Sequence, residues 1–197
     1  MLATQASISD PSSVFMHRNE IYFADFENST IHKIDRNGML SIIAGTGCKE
    51  FNGDGPATTT GINCPDAIFV HNDEVYFADR ENYRIRKIDR NGMIKTIGGS
   101  GEYGYNGDGI LAIEAALCKP FGMFVDENGQ VYFANSQRIR KIDQRTGIIH
   151  DVIGSERGYK GDVAHDFKTF PHVGPKRKPC IKPFPKAYHD ALIQCVD

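Results

Sequence analysis

The pattern of apolar and polar positions repeats along the chain, and the repeat dominates the reading. IYFADFENSTIHKIDRNGMLSIIAG (21–45) aligns without gaps on VYFADRENYRIRKIDRNGMIKTIGG (75–99), identical at most positions. VYFANSQRIRKIDQRTGIIHDVIGS (131–155) is a third copy with a shortened turn and a later expansion. Pro11, Pro65 and Pro120 keep the same step, as do Gly53, Gly107 and Gly161 with Asp54, Asp108 and Asp162. A fixed period of this length marks a repeat architecture in which each unit buries its apolar faces against its neighbours.

Within the second copy the pattern predicts four strands: DAIFV (66–70), EVYFAD (74–79), RIRKID (84–89) and IKTIGG (94–99). Each is five or six residues long and bounded by polar turns, which predicts an antiparallel meander. The run Val75, Tyr76, Phe77, Ala78 is apolar on both pleat faces, so its sheet is covered on both sides, as a propeller blade is. Ile85 and Ile88 fall on opposite faces under strict alternation, which a bulge or two-sided packing reconciles. After each fourth strand comes a glycine-rich excursion, GTGCKEFNGDGPATTTGIN or GSGEYGYNGDGILAIEAAL, whose Asn-Gly and Asp-Gly pairs suit φ > 0 turns. Residues 110–117 add a short helical turn.

Composition narrows the class without naming a role. Twenty Gly, nine Pro and 20 Tyr plus Phe (8 and 12) describe a turn-rich chain with aromatic strands, hence all-β. With 23 Lys+Arg against 25 Asp+Glu, no global field drives the chain onto nucleic acid or anionic membrane. Five cysteines without CxxC spacing indicate neither a zinc ribbon nor a disulfide framework. No basic leader followed by an apolar core opens the chain, and no stretch approaches the roughly 20 apolar residues of a membrane span. The cytoplasm is the default expectation unless an upstream part carries a leader.

The proline-started strand, VYFAD, ENxRIRKID, NGMIxTIGG and GYNGDG resemble the NHL repeat, in the longer variety with an NGDG loop between blades. The resemblance covers roughly residues 6–163, with blades at about 6–60, 61–115 and 116–163. It implies a β-propeller of four-stranded blades, commonly about six to a ring, of which about three are present, an incomplete ring. Family members include protein-binding, RNA-binding and extracellular scaffold domains and an amidating lyase. Residues 164–197 start like a fourth repeat around Pro171 and then leave the pattern; a truncated reading frame or a diverged cap produces such an ending.

In a four-stranded meander the second-to-third strand loop and the blade-to-blade excursion emerge on one side. That face carries Asp25, Asn28, Asn52, Asp54, Asp79, Asn82, Asn106 and Asp108, the candidates for contact with a protein or small ligand. Their repetition equally suits turn capping. His17, His71 and Asp126 share one repeat position at the end of the innermost strand, a set of zinc-ligand types that the lyase members of the family make worth weighing. As turn residues they need no metal, so no metal site and no cofactor are expected. GSGEYG (99–104) matches GxGxxG but runs into a turn where a dinucleotide site needs a helix. The RIRK stripes (Arg84, Arg86, Lys87, Arg138, Arg140, Lys141) read as a solvated blade edge with nearby carboxylates, not as a nucleic-acid surface. The expectation is a non-enzymatic scaffold, with a metal-assisted lyase-like enzyme as the alternative. Uncovered terminal blades would favour self-association.

Overall fold

The computed structural model describes residues 1–154. Gly161, Asp162, Pro171 and the off-pattern stretch 164–197 lie outside the described residues. The described chain is all-β and forms three antiparallel sheets of four, five and five strands. Blade 1 is β1 (Pro11–His17), β2 (Glu20–Asp25), β3 (Thr30–Ile34) and β4 (Leu40–Ala44), paired in chain order. After β5 (Gly55–Pro56), blade 2 continues with β6 (Pro65–His71), β7 (Glu74–Asp79), β8 (Arg84–Ile88) and β9 (Met93–Gly98). After β10 (Ile110–Leu111), blade 3 continues with β11 (Phe121–Val125), β12 (Val131–Asn135), β13 (Arg138–Asp143) and β14 (Ile148–Ile153).

The two-residue strands β5 and β10 are the feature that repeat patterning did not reveal. Each lies in the excursion and pairs with the last strand of the following blade, β5 with β9 and β10 with β14. Excursion residues that precede a repeat thus close that repeat's sheet as a fifth strand. Leu2 bridges Met39 in the same manner, and the Ala3 amide donates to Gly38 O at 2.9 Å, as Ala57 does to Gly92 O and Ala112 to Gly147 O. The helical turn expected within 110–117 is a 3-10 turn at Ala112–Glu114, matched by Ala57–Thr59.

Strand alternation sorts each blade's side chains onto two apolar faces. One core holds Tyr22, Ile31 and Ala44 of blade 1 against Ile68, Val70, Val75, Phe77, Ile88 and Ile94 of blade 2. The next holds Tyr76, Ala78 and Ile85 of blade 2 against Val125, Val131, Phe133, Ile142 and Ile149 of blade 3. Ile85 and Ile88 therefore point into different cores, and two-sided packing resolves their spacing. Each fully buried aliphatic side chain here contributes about 1.5–3 kcal/mol. Phe15, Phe69 and Phe124 add an aromatic row across the innermost strands, with ring centroids 4.5 and 5.2 Å apart.

Positive φ values occur where turn chemistry demanded them, including Gly53 (104°), Gly107 (135°) and Gly109 (68°) of the NGDG loops. Gly45, Gly99 and Gly154, which directly follow the last strand of each blade, share φ near 91°. A Cβ at Gly99 would collide with the carbonyl oxygen of Tyr83, so the close approach of backbone to backbone there requires glycine.

Candidate functional site

The loop face assembles as the meander topology requires. The excursion after blade 1 meets that blade's β2–β3 loop through Lys49 and Glu27, 2.8 Å apart. It also meets the β7–β8 loop, where Asn82 Nδ2 donates to Glu50 O at 3.0 Å. Lys119 reaches Glu81 at 3.2 Å on the same side. The β1–β2 and β3–β4 turns meet at the other end, Arg36 donating to Arg18 O, as do the β6–β7 and β8–β9 turns, Arg90 donating to Asn72 O.

The candidate polar residues divide sharply by role. Asp25, Asp79 and Asn82 are buried, so they cannot contact a ligand from the surface; strand pairing and the covering excursion shut them in. Asp25 accepts from the backbone amides of Ser9, Asp10 and Asn28 and from Asn28 Nδ2. Burial pushes its carboxyl upward, but these four donors outweigh it and hold it below the ordinary carboxylate value. Asp79 accepts from Asn63 N at 2.7 Å, Asn82 Nδ2 at 2.9 Å and Arg86 Nη1 at 3.2 Å. Asn52 and Asn106 are exposed yet committed: each amide staples its excursion by accepting from Gly61 N or Ala116 N and donating to Thr59 O or Glu114 O. Asp54 receives Thr96 N and Thr96 Oγ1, and Asp108 receives Asp151 N. These are turn and edge caps, as their repetition suggested.

The structure corrects the solvated reading of the RIRK stripes at two positions. Arg86 and Arg140 are fully buried and are the largest such side chains among the described residues. Arg86 donates to Asp79, Asp54, Gly61 O and Gly53 O, so its charge is paired and four of its contacts are satisfied inside the fold. In blade 3 the position of Asp79 is Asn135, and the carboxylate comes instead from Asp151, 2.8 Å from Arg140 Nε. Gly107 O accepts from Arg140 Nη2 at 2.6 Å. In blade 1 the same register position is His32, stacked on Phe23 at 4.8 Å and hydrogen-bonded to Thr30 Oγ1 at 2.8 Å. Burial pushes the His32 imidazole below its ordinary value, with the Asp25 charge acting the other way.

His17, His71 and Asp126 are not brought together. His17 pairs with Asp73 at 3.0 Å across the blade boundary, His71 with Asn72 Nδ2 at 2.9 Å, and Asp126 accepts from the amides of Asn128 and Gln130 in its own turn. Among the described residues no group of three His, Cys, Asp or Glu side chains converges to hold a metal.

Aromatic residues of the excursions, not singled out from sequence, complete the loop face. Phe51 lies under the Arg84 guanidinium at 3.7 Å and Tyr105 under that of Arg138 at 4.1 Å, with Arg86 and Arg140 at 5.1 and 4.9 Å. Tyr103 meets Tyr83 edge-on at 5.4 Å. Phe51, Tyr103 and Tyr105 remain exposed. Tyr103, Tyr105, Cys118, Asn135 and Arg138 line a recess of about 300 Å³ at this end of blade 3. A signal was available: Phe51 and Tyr105 sit at one repeat position, directly before each NGDG.

Residues 102–162 match the family model of the teneurin NHL domain. The chain is 32% identical over 113 residues, 56% of its length, to NHL repeat-containing protein 2 of Bos taurus. The matched stretch is of NHL type, and the internal repeat extends that likeness to the other blades. The chain is also 27% identical over 164 residues, 76% of its length, to SUPPRESSOR OF QUENCHING 1, a chloroplastic protein of Arabidopsis thaliana. It spans 15% of the length of either relative. Among solved structures, streptogramin B lyase matches 75% of the chain and 41% of its own at a TM-score of 0.52 with 16% identity, which shows a shared propeller fold.

Proposed function

We propose that the NHL blades form a non-catalytic recognition scaffold whose loop face, at the excursion end, binds a protein partner. The observation that carries this reading is the set of exposed aromatics Phe51, Tyr103 and Tyr105, two of them pinned under arginines that are themselves anchored in the fold. Tyr and Arg are the residue types that dominate binding energy at protein interfaces, and aromatics already fixed by stacking lose little freedom on binding. The repeated Asp and Asn residues serve this face by holding its loops, while the aromatic and charged residues that differ between blades supply contacts.

Selection from a displayed peptide library tests it. The wild-type chain should yield binders whose affinity falls at least tenfold on Tyr103→Ala or Phe51→Ala at an unchanged circular dichroism spectrum. Binders indifferent to both substitutions would sink the assignment of this face. One stoichiometric metal per chain after dialysis, lost on His71→Ala, would overturn the non-catalytic reading.

A further inference from the structure

We propose that the recess at the loop end of blade 3 binds a carboxylate of a partner polypeptide, received by Asn135 Nδ2 beside Tyr103 and Tyr105. The inference rests on the loop-face reading and names what that face recognises. It starts from a turn. Asp25 pairs with Thr30 and Asp79 with Arg84 across four-residue loops, whereas Asn135 pairs with Arg138 across two residues, Ser136 and Gln137. Each longer loop carries an asparagine, Asn28 or Asn82, whose Nδ2 donates to the buried carboxylate at 2.9 Å. Asn82 also donates to Glu50 O at 3.0 Å and so fills the space between loop and excursion. Blade 3 has no residue at that place. The recess of about 300 Å³ opens there, lined by Gly104, Cys118 and Asn135, the counterparts of Glu50, Asn63 and Asp79.

The wall behind the missing asparagine has also changed its hydrogen-bonding sense. Asp79 accepts from Asn63 N through Oδ1, and from both Asn82 Nδ2 and Arg86 Nη1 through Oδ2. Asn135 Oδ1 takes the Cys118 amide at 2.7 Å, which fixes the orientation of the side-chain amide. A donor, Nδ2, therefore stands where Asp79 has its second acceptor. Arg140, in the register of Arg86, is left with a buried Nη1 that has no hydrogen-bond partner. Asn135 is only 2% exposed, and no described residue accepts from its Nδ2. The carbonyl of Gly104 already receives the Cys118 thiol at 3.3 Å. A buried donor left unmet is costly, so the recess is set for an acceptor from outside.

Charge makes that acceptor anionic. Arg86 lies 3.2 Å from both Asp79 and Asp54, while Arg140, equally buried, has Asp151 alone among the described residues. A carboxylate in the recess restores the second anion beside a buried guanidinium. The flanking rings are held in place, Tyr105 under Arg138 at 4.1 Å and Tyr103 edge-on to Tyr83 at 5.4 Å, and they offer apolar walls to the methylenes that carry the carboxylate. The volume is at the small end for ligand pockets, which suits one side chain or a chain end.

Heteronuclear NMR on the 197-residue chain tests it with N-acetylglutamate amide and its neutral counterpart, N-acetylglutamine amide. The glutamate probe should shift the Asn135 side-chain amide and the Cys118 backbone amide saturably, and the glutamine probe should bind at least tenfold more weakly. N-acetyldiglycine carries its carboxylate at the chain end; tighter binding than the glutamate probe assigns the site to a C-terminus, weaker binding to an acidic side chain. Asn135→Asp, matching Asp25 and Asp79, keeps an acceptor for Cys118 N and gives Arg140 its anion. It should retain the wild-type circular dichroism yet bind the glutamate probe at least tenfold more weakly. No saturable shift at Asn135, equal binding of the glutamine probe, or wild-type binding by Asn135→Asp would each overturn the proposal. Selected peptides that respond to Phe51→Ala or Tyr103→Ala but ignore Asn135→Asp would overturn it while leaving the loop-face reading in place.

Discussion

Removing the Arg86 side chain would leave Asp79 and Asp54 sharing a site with no cation between them. Arg86→Met should therefore cost about 3–5 kcal/mol, the range for breaking one side of a buried ion pair. Asp79→Asn in the same chain should recover part of it, because Asn135 already fills that position in blade 3; urea denaturation of the single and double variants measures both effects. His32 carries the opposite liability. Its folded-state value lies below its unfolded one, so the unfolded chain takes up a proton first as pH falls. Stability is complete above the unfolded value near 6.5 and is lost as pH drops through it towards the folded value. Melting temperatures between pH 8 and 5 should show this loss in wild type and a shallower one in His32→Gln; parallel curves would refute the assignment. Arg86 and Arg140 were legible in sequence as part of a charged stripe but not as a core, and His32 was not singled out. Long cationic side chains are mostly solvated, and the carboxylates that allow Arg86 and Arg140 inside arrive from the preceding strand, the excursion or the last strand, a different source in each blade.

Turn and strand elements carry their own tests. Gly107→Val, at φ 135° with no atom nearer than Ile110 Cγ2 at 3.9 Å, should lose about 1–3 kcal/mol through backbone strain alone. Gly99→Ala should lose more despite the smaller side chain, since it adds the collision with Tyr83 O to a φ of 91°. Thermal denaturation of the two variants ranks them, and the reverse order would mean that the backbone at Gly99 yields easily. The four strands of each blade were legible because apolar runs bounded by Asn-Gly turns have few alternatives. The fifth was not: Gly55–Pro56 and Ile110–Leu111 are too short for any periodicity, and Pro56 argues locally against a strand.

At the scale of the whole molecule, blade 2 is covered on both faces while blades 1 and 3 each show one apolar face. Amides of β7 should exchange most slowly and those of β1 and β14 markedly faster, as read by hydrogen–deuterium exchange. Uniform protection across the three blades would contradict the stacking described. The three described blades and their order were readable from the repeat, because the period is long and its landmarks are glycines and prolines with backbone roles. The recess and the aromatic row at the loop end were not, since they depend on how one repeat leans on the next.

The pairing of β5 with β9 has a practical corollary for anyone shuffling such units. Counted by motif, a repeat starts at Pro65; counted by what holds it together, it starts earlier. Glu50 O, Phe51, Gly53 O and Asp54 all bond to or stack on blade 2, whereas Lys49 still reaches back to Glu27 of blade 1. A transplantable cassette thus runs from Glu50 to Tyr103, the residue before the corresponding stretch of the next repeat. A graft cut at Pro65 would arrive without its edge strand and without the carbonyl and carboxylate that Arg86 needs. The seam for recombination falls inside the glycine-rich excursion, not at the proline that marks each repeat to the eye.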